Sequence, residues 1–456
     1  MLPTLTFALG ALSGIVCPQF TTRISLDDDG IAGAGASVNP ALSGTGRFVA
    51  FQSNAPLDAN SSGYTDIYVR DRQNSSIALL SFAFSGGPAN SFSTDPSISY
   101  DGRFVAFHSN ASNLVSGDLN AVGDVFLADR DPDGNGVFDE GNGNLIRLSE
   151  SASGGEGNAP SSLPILSGNG HCVTFISLAN NLVAGDLNGV PDQFIYDLPS
   201  GNLTLGSLAS DGSQGNLPSG PGALSHDGRF LSFTTQAANF DLSDSNGLSD
   251  IYLRDRDPDG NGTFDEGNET TVWVSASDRG YPANSACTNS DISADGSLIV
   301  FQSAATNLIV GGTAGYSNIY IRHIPSYRIN MISVNGLAQD GNESSTNPEI
   351  SSDGLAVVFQ SQASNLVPGD TNAWDDAFLA DLSALTMERV SLNVLGKQVS
   401  LYSQLPTIGA IRAEIAFQSP DGTFVPYDSN GDFDIFVRGN GAWSPQLVAE
   451  TIKRGT

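Results

Sequence analysis

Two twelve-residue stretches of the chain carry oxygen-bearing side chains at alternate positions. One runs from Asp129 to Glu140 and the other from Asp255 to Glu266, and both begin Asp-Arg-Asp-Pro-Asp-Gly-Asn-Gly and end Asp-Glu. Calcium loops place oxygen ligands at positions 1, 3 and 5, glycine at 6, a backbone carbonyl at 7 and a bidentate glutamate at 12. The spacing therefore predicts two Ca²⁺ sites. Their expected ligands are Asp129, Asp131, Asp133, Asn135 and Glu140 in the first, and Asp255, Asp257, Asp259, Asn261 and Glu266 in the second.

The alternative to a calcium loop is a solvated hairpin whose turns are stabilised by Asp and Asn side chains. Against that alternative, closely spaced carboxylates repel one another unless a cation neutralises them. Gly136 and Gly262 depart from the usual aliphatic residue at position 8, and no helical pattern flanks either stretch. We therefore expect calcium loops that join two strands rather than EF-hands. Magnesium is less suitable, because it keeps more of its bound water.

A second recurring group has the pattern Asp-x-Asn-x₃-Asp, as in Asp118, Asn120 and Asp124. It returns at 186/188/192, 244/246/250, 370/372/376 and 428/430/434, and in a longer form at 58/60/66. At one place Gly312, Ala314 and Asn318 stand instead, so the three residues are lost together and act as one unit. That unit is either a further cation site or a structural knot in which Asp and Asn side chains bond turn amides; we favour the knot.

Both groups belong to a unit that recurs seven times. Its most regular phrase is Asp101-Gly-Arg-Phe-Val-Ala-Phe107-His-Ser109, a turn signal that leads into a strand. The anchoring phenylalanines are Phe51, Phe107, Phe175, Phe233, Phe301, Phe359 and Phe417. Their intervals are 56, 68, 58, 68, 58 and 58 residues, and each long interval contains one of the two calcium-loop stretches.

Each unit contains four strand-like runs, none of which can bury both faces alone. In the second unit they are predicted at Pro96–Ser99, Phe104–Ser109, Asp124–Asp129 and Leu145–Ser149. The sequence therefore predicts an all-β fold, a single seven-bladed β-propeller of four-stranded antiparallel blades over residues 21–456. The fourth-strand phrase occurs eight times, although there are only seven units. Arg23-Ile-Ser25 precedes the first unit, and Gln446-Leu-Val-Ala449 follows the last. One of them must complete blade seven, and we favour the N-terminal strand because it matches the repeat better.

The repeat resembles the TolB-like family of β-propeller repeats, which are related to WD repeats. The resemblance rests on Ser99-Tyr-Asp101-Gly102, Val105-Ala-Phe107-His-Ser109 and Asp124-Val-Phe126, and it covers about residues 22 to 450. It implies the fold but no activity, because function on a widely used fold depends on the site. Some propellers of this kind act as polysaccharide lyases with metal-bound histidines or as domains of serine peptidases. This resemblance therefore leaves the function open.

Composition limits the partners and the compartment. The formal net charge is −30, with 49 acidic against 19 basic residues, so we expect no nucleic-acid partner. Residues 1–20 include an apolar run from Leu5 to Val16 that resembles a secretory signal, which predicts a secreted or periplasmic protein; an apolar first strand or tail is the alternative. That run is too short to span a bilayer, and no other stretch qualifies. Cys17, Cys172 and Cys287 form no disulfide framework.

The sequence contains no recognisable catalytic motif. The four histidines, His108, His171, His226 and His323, occupy repeat positions that ordinary residues fill in other units. We expect a calcium-binding, non-catalytic binding or scaffold module for a protein or polysaccharide partner. Trp374 lies in a loop where partners often contact a propeller. The alternative is a polysaccharide lyase or hydrolase with its site in the central channel.

Overall fold

The computed structural model describes residues 20–151, 153–311, 315–410, 414–428 and 430–439. The signal-like segment with Cys17, the Gly312 and Ala314 positions, and the C-terminal phrase Gln446–Ala449 lie outside the described residues. The described chain forms seven four-stranded antiparallel sheets, which confirms the predicted seven-bladed propeller. It also holds a single 3₁₀ turn at Ile324–Ser326, and no helix in this part of the chain is long and apolar enough to cross a membrane.

In each blade the strands follow one another from the central channel of the propeller outward to the rim. The N-terminal strand is β1 (Phe20–Arg23). Blade one contains β2 (Ser37–Leu42), β3 (Phe48–Ser53), β4 (Asp66–Asp71) and β5 (Ser76–Leu79). Blade two contains β6 (Ser93–Ile98), β7 (Phe104–Ser109), β8 (Asp124–Asp129) and β9 (Asn144–Arg147). Blade three contains β10 (Ser161–Leu166), β11 (Cys172–Ser177), β12 (Asp192–Asp197) and β13 (Asn202–Leu205). Blade four contains β14 (Ser219–Leu224), β15 (Phe230–Thr235), β16 (Asp250–Asp255) and β17 (Thr270–Trp273).

The same order continues to the end of the described chain. Blade five contains β18 (Cys287–Ile292), β19 (Leu298–Ser303), β20 (Asn318–His323) and β21 (Arg328–Met331). Blade six contains β22 (Ser345–Ile350), β23 (Ala356–Ser361), β24 (Asp376–Asp381) and β25 (Thr386–Arg389). Blade seven contains β26 (Gln404–Ile408), β27 (Glu414–Ser419) and β28 (Asp434–Gly439), and its fourth strand is β1.

The N-terminal strand closes the ring, as the sequence predicted. β1 pairs antiparallel with β28, with Thr22 opposite Val437. Because the first strand completes the last blade, β28 is not left as an open edge that could pair with another chain. A buried ion pair between Arg72 of blade one and Glu414 of blade seven crosses the same junction, with a 2.8 Å N–O distance.

The repeated phenylalanines form the hydrophobic core between and within blades. Phe107 on β7 stacks on Phe126 of β8 at a centroid distance of 5.8 Å, and both are fully buried. The Asp-Gly turn before each second strand has a packing reason as well as a conformational one. Gly102 has φ +82°, and a Cβ atom there would lie 2.2 Å from the Phe48 ring of the preceding blade. The turn of one blade therefore packs directly on the core of its neighbour, where only glycine fits.

The innermost strands share a bulge that the sequence did not reveal. In six of the seven inner strands a residue near the start has positive φ, and in all seven the register to the second strand shifts in that region. The residues with this conformation are Asn39, Asp95, Leu163, Asn289, Asn347 and Leu405. The bulge turns the next residues of each inner strand toward the central axis, so these strands form the wall of the channel.

Candidate functional site

A channel of about 550 Å³ runs between the seven inner strands. Its wall consists mainly of proline, asparagine, serine and aliphatic side chains. Among the described residues, the ionisable side chains that line it are Asp95, His226, Asp291 and Glu349. Three acidic side chains therefore reach the channel, together with one histidine.

Asp291 and Glu349 lie at the same position of two neighbouring inner strands. Asp291 Oδ2 accepts a hydrogen bond from the Ile350 N–H at 2.8 Å, and Glu349 Oε1 accepts one from the Ile408 N–H at 2.9 Å. Burial raises the pKa of both carboxyl groups, and the charge of Asp291 raises that of Glu349 further. Such a pair can hold a proton near neutral pH, which is what a general acid requires. The other blades have Ala41, Ser97, Ile165, Ala223 and Thr407 at this position.

Four blades carry the Phe-Gln-Ser phrase, and its glutamine fastens the bulge of the next blade's inner strand to them. Gln360 Oε1 accepts the backbone N–H of Leu405 at 2.9 Å, and Gln302 Oε1 accepts that of Asn347 at 2.8 Å. Gln52 and Gln418 make the same bond to the inner strands of blades two and one. The recurrence of glutamine in this phrase was a sequence signal that the residue has a structural role. Its hydrogen-bond partner could not be inferred from the sequence, because that partner lies in another blade.

The four histidines do not meet. His108 takes the place of this glutamine in blade two, beside Thr94, and burial lowers its pKa. His226 contacts Tyr100 edge-on at 5.7 Å in the channel wall, His171 is exposed, and His323 is an exposed partner of Ser326. Within the described ranges, no three His, Cys, Asp or Glu side chains converge as a metal-binding group would require. The free thiols of Cys172 and Cys287 are buried, as the sequence suggested.

The first calcium-loop stretch forms the hairpin between β8 and β9. Asp131 accepts the backbone N–H groups of Asn135 at 3.0 Å and Gly136 at 2.9 Å. Burial opposes ionisation of Asp131, but these hydrogen bonds lower its pKa overall. Asn135 Nδ2 donates to Asp133 at 3.1 Å and to Glu140 at 2.8 Å. The four side chains thus gather around the turn.

Asp129, the fifth expected ligand, is directed elsewhere. Arg103 donates to both of its carboxylate oxygens, at 2.8 and 2.7 Å. The second stretch, between β16 and β17, repeats every contact, with Arg229 bound to Asp255 at 2.7 and 2.8 Å. Its inner group contains Asp257, Asp259, Asn261 and Glu266, and Asn261 Nδ2 donates to Glu266 at 2.7 Å. Each loop therefore links four of its five expected ligands by hydrogen bonds around the turn, although among the described residues their carboxylates are not drawn together into a metal-binding group.

A buried arginine anchors each loop. Arg130 donates to Asp139 at 2.5 Å and stacks between the rings of Phe48 and Phe138, with 4.6 and 5.1 Å to the centroids. Arg256 forms the corresponding ion pair with Asp265 in blade four, with an N–O distance of 2.6 Å, and it stacks on the single ring of Phe264 at 4.8 Å. Asp139 immediately precedes Glu140, so this anchor sets the direction of the glutamate. One signal of this anchor was present in the sequence, because an arginine and an aspartate stand nine residues apart in both stretches.

One face of the propeller exposes a large apolar side chain from every blade. These side chains come from the loops between the second and third strands, and we call this surface the loop face. They are Tyr64, Leu119, Leu187, Leu242, Val310, Trp374 and Tyr427, between 48% and 99% exposed. Because the strands of a blade run antiparallel, the loops that lead to the next blade reach the same edge. Those loops add exposed Ile31, Phe84, Tyr281, Leu337 and Leu395.

Aromatic rings cluster on one sector of the loop face. Trp374 lies 5.7 Å from the Tyr402 ring, and Tyr402 lies 5.6 Å from Phe433. The opposite face carries the two calcium-loop stretches and the Asp-Gly turns. Its exposed large apolar side chains among the described residues are Tyr100, Val137, Tyr327, Leu355 and Leu385. The two faces therefore differ in character, apolar on the loop face and acidic around the opposite hairpins.

Comparison with solved structures supports the fold. An oligogalacturonate lyase from Vibrio parahaemolyticus matches with a TM-score of 0.52 and 13% identity, over 92% of this chain and 93% of that one. An oligogalacturonate lyase in complex with manganese matches with a TM-score of 0.52 and 12% identity, over 94% of each chain. TolB from Acinetobacter baumannii has a TM-score of 0.38 and 14% identity, over 78% of this chain and 64% of that one.

At these identities the likeness to the two lyases establishes a shared propeller fold and nothing about activity. No family model matches the chain, and no curated protein matches it.

Proposed function

We propose that this chain is a calcium-binding propeller that acts as a non-catalytic binding module and holds a protein partner on its loop face. The observation that carries the proposal is the exposed apolar side chain that every blade contributes to that face. Single exposed apolar residues are ordinary on a protein surface, but a repeated set on one face is typical of an interaction site. Among the described residues, the other face exposes large apolar side chains from only some of the blades.

The composition of the loop face favours a protein over a polysaccharide. Leu119, Leu187, Leu242 and Val310 are aliphatic. Burial of aliphatic side chains against the apolar surface of a protein partner is favourable, whereas the rings of a sugar stack on aromatic side chains. The aromatic sector around Trp374 is where a polysaccharide would bind if the partner were one.

Matched surface variants test this proposal. We would compare Leu119→Ser/Leu187→Ser/Leu242→Ser on the loop face with Val137→Ser/Tyr327→Ser/Leu385→Ser on the opposite face. Retention of proteins from the producing cell's secreted fraction, and of polysaccharides on a glycan array, would be measured after circular dichroism has confirmed folding. The loop-face variant should lose the retained protein and the opposite-face variant should keep it. Equal retention by both variants, or glycan binding that depends on Trp374, would contradict the proposal.

We further propose that the two hairpin loops hold Ca²⁺. Asp131, Asp133, Asn135 and Glu140 supply the first site, and Asp257, Asp259, Asn261 and Glu266 supply the second. Oxygen ligands of this kind suit calcium. Asn135 Nδ2 already draws Asp133 and Glu140 toward one point, which supports the fit. Asp129 and Asp255 join the ligand set only if their ion pairs with Arg103 and Arg229 open.

A catalytic role is the second candidate. It is supported by Asp291 and Glu349 in the channel, with His226 in the same wall, and by the lyase activity named for the two similar structures. Glu349 would act as general acid, because its environment favours the protonated form. Incubation with oligogalacturonate and Mn²⁺ or Ca²⁺, followed by ultraviolet detection of unsaturated products, tests this candidate. Turnover that Glu349→Gln abolishes would establish it, and absence of turnover would eliminate this substrate class.

We also propose that the protein is exported. The support is the apolar run from Leu5 to Val16 in residues 1–20, which precedes the described part of the chain. Cell fractionation locates the full chain, and Leu5→Arg/Leu9→Arg, which interrupts the apolar run, is the control that should remain in the cytoplasm. Recovery only from the cytoplasm would refute export.

A further inference from the structure

Five of the six Asp-x-Asn-x₃-Asp groups contain a buried pair of carboxylates, and three blades neutralise the pair with an arginine. In blade two, Arg147 Nη1 lies 3.3 Å from Asp118 and 3.6 Å from Asp124. Arg389 lies 3.3 Å from both Asp370 and Asp376 in blade six, and Arg23 lies 3.0 and 2.5 Å from Asp428 and Asp434 in blade seven. Buried carboxylates need such a cation, since burial disfavours the charged form.

The three arginines occupy one position of the blade. Arg147 pairs across the strands with Phe126, Arg389 with Phe378, and Arg23 with Phe436. The remaining blades have Leu79, Leu205, Trp273 and Met331 at this position. Blades one, four and five also replace the phenylalanine by a tyrosine, namely Tyr68, Tyr252 and Tyr320. Arginine thus accompanies phenylalanine in every blade except blade three.

The tyrosine blades compensate for the missing arginine in other ways. In blade four, Tyr252 Oη donates to Asp244 at 2.9 Å and Trp273 Nε1 donates to Asp250 at 3.0 Å. In blade one, the Ser62 hydroxyl and N–H both donate to Asp66 Oδ2. Blade five has Asn318 in place of the strand aspartate. Each of these blades either donates hydrogen bonds to the pair or lacks the charge.

Blade three has the carboxylates but none of these partners. Asp186 is 6% exposed and Asp192 is fully buried. Phe194 and Leu205 stand where other blades have tyrosine or arginine, and neither can donate. Asp186 Oδ1 and Asp192 Oδ2 accept no hydrogen bond of normal geometry, although the Asn188 side chain lies close enough to Asp192 to lower its pKa. No cationic side chain in the described ranges forms an ion pair with either aspartate. Ser207 donates to the other oxygen of Asp192 at 2.8 Å.

We propose that the Asp186–Asp192 pair binds a calcium ion, in the place that the guanidinium group of Arg147, Arg389 or Arg23 occupies in its own blade. The two unpartnered carboxylate oxygens are hard ligands, and water would complete the coordination sphere. The site is separate from the two hairpin loops, because it lies between the second and third strands of blade three, on the loop face. With this site, the loop face would bind calcium through aspartate oxygens, as the hairpin loops of the opposite face do.

Protonation of one carboxyl group is the rival explanation. Burial raises the pKa of Asp192 to about 6, and the neighbouring charge of Asp186 contributes to the rise. Burial also raises the pKa of Asp186. Calcium titration distinguishes the two explanations, because a shared proton would leave no equivalent of calcium for Leu205→Arg to remove.

The pairing of β12 with β13 suggests the test, because Leu205 can be replaced by the arginine that blades two, six and seven carry at this position. We would titrate CaCl₂ into the full chain by calorimetry at pH 7.5, in an Asp131→Asn/Asp257→Asn background that disables both hairpin loops. Leu205→Arg should lose one equivalent of calcium relative to that background. Leu205→Met, which gives blade three the neutral residue of blade five, is the matched control and should keep the equivalent.

Thermal melting in EDTA gives a second readout. Leu205→Arg should melt at a higher temperature than the background protein in EDTA and respond less to added calcium, since the guanidinium replaces the ion. Leu205→Met should do neither. If Leu205→Arg fails to fold, Asp186→Asn should remove the same equivalent. The proposal is wrong if the background binds no calcium at millimolar concentration, or if Leu205→Arg and Asp186→Asn leave the stoichiometry unchanged.

Discussion

Arg72 donates to Glu414 at 2.8 Å across the junction between blade one and blade seven, and both side chains are 4% exposed. The two residues are 342 positions apart in the chain, so the ion pair forms only when the ring closes. Burial raises the pKa of Glu414, and Arg72 opposes that rise. The stability of the closed ring therefore depends on the ionised form of the Glu414 carboxylate.

Removing one partner of this ion pair should weaken the fold strongly. Arg72→Met leaves Glu414 buried without its counter-charge, and we expect the free energy of unfolding to fall by about 3–5 kcal/mol. Urea unfolding followed by circular dichroism measures the loss. The double variant Arg72→Met/Glu414→Gln should recover much of it, and Arg47→Met, which breaks the more exposed pair with Asp71, should cost only about 1 kcal/mol. Equal losses for Arg72→Met and Arg47→Met would contradict this account of the junction.

The glutamine that holds the inner-strand bulge should also matter for stability. Gln360→Ala leaves the buried Leu405 N–H without its acceptor, which we expect to cost about 1–3 kcal/mol in urea unfolding. Thr234 stands at the same position in blade four, and its hydroxyl has no hydrogen-bond partner. Thr234→Val should therefore be neutral or stabilising. A loss as large as that of Gln360→Ala would show that packing, and not the hydrogen bond, is responsible.

Stability should depend on pH through Glu349. Its pKa is raised in the folded protein, so the folded state binds more protons than the unfolded state between the ordinary and the raised value. The stabilising effect is complete below the ordinary glutamate pKa and is lost as pH rises through the raised one. Glu349→Gln removes this dependence. Wild type should thus lose more than about 1 kcal/mol relative to Glu349→Gln between pH 4.5 and pH 8, measured by urea unfolding. Parallel pH profiles for the two proteins would contradict the assignment.

Calcium removal should lower the melting temperature through the hairpin loops. At a free concentration one hundred times the dissociation constant, each bound ion adds about 2.7 kcal/mol to the free energy of unfolding. Differential scanning calorimetry with CaCl₂ or EDTA measures the shift. Asp131→Asn/Asp257→Asn should lose most of the response, whereas Asp129→Asn/Asp255→Asn should keep it, because those aspartates are bound by Arg103 and Arg229. The reverse ranking would place Asp129 and Asp255 among the ligands.

Much of the architecture followed from the sequence, because its signals are local. The recurring phenylalanines set the number of blades, and the Asp-Gly turns mark where second strands begin. The second and third strands of blade two, Phe104–Ser109 and Asp124–Asp129, were predicted with the bounds that the structure shows. Its inner strand starts at Ser93, three residues before the predicted Pro96, because the bulge at Asp95 breaks the alternation that marks a strand.

The candidate sites needed the tertiary structure. Spacing alone placed Asp129 among the calcium ligands, but its partner Arg103 lies on a neighbouring strand, a contact that spacing along one loop does not encode. Leu205 is an ordinary leucine in the sequence, and only the pairing of β12 with β13 shows that it stands where Arg147 stands in blade two. The sequence by itself determined the repeat and the turns, because these depend on neighbouring residues. The structure decided which charges meet and which apolar side chains stay exposed, because both depend on contacts between distant parts of the chain.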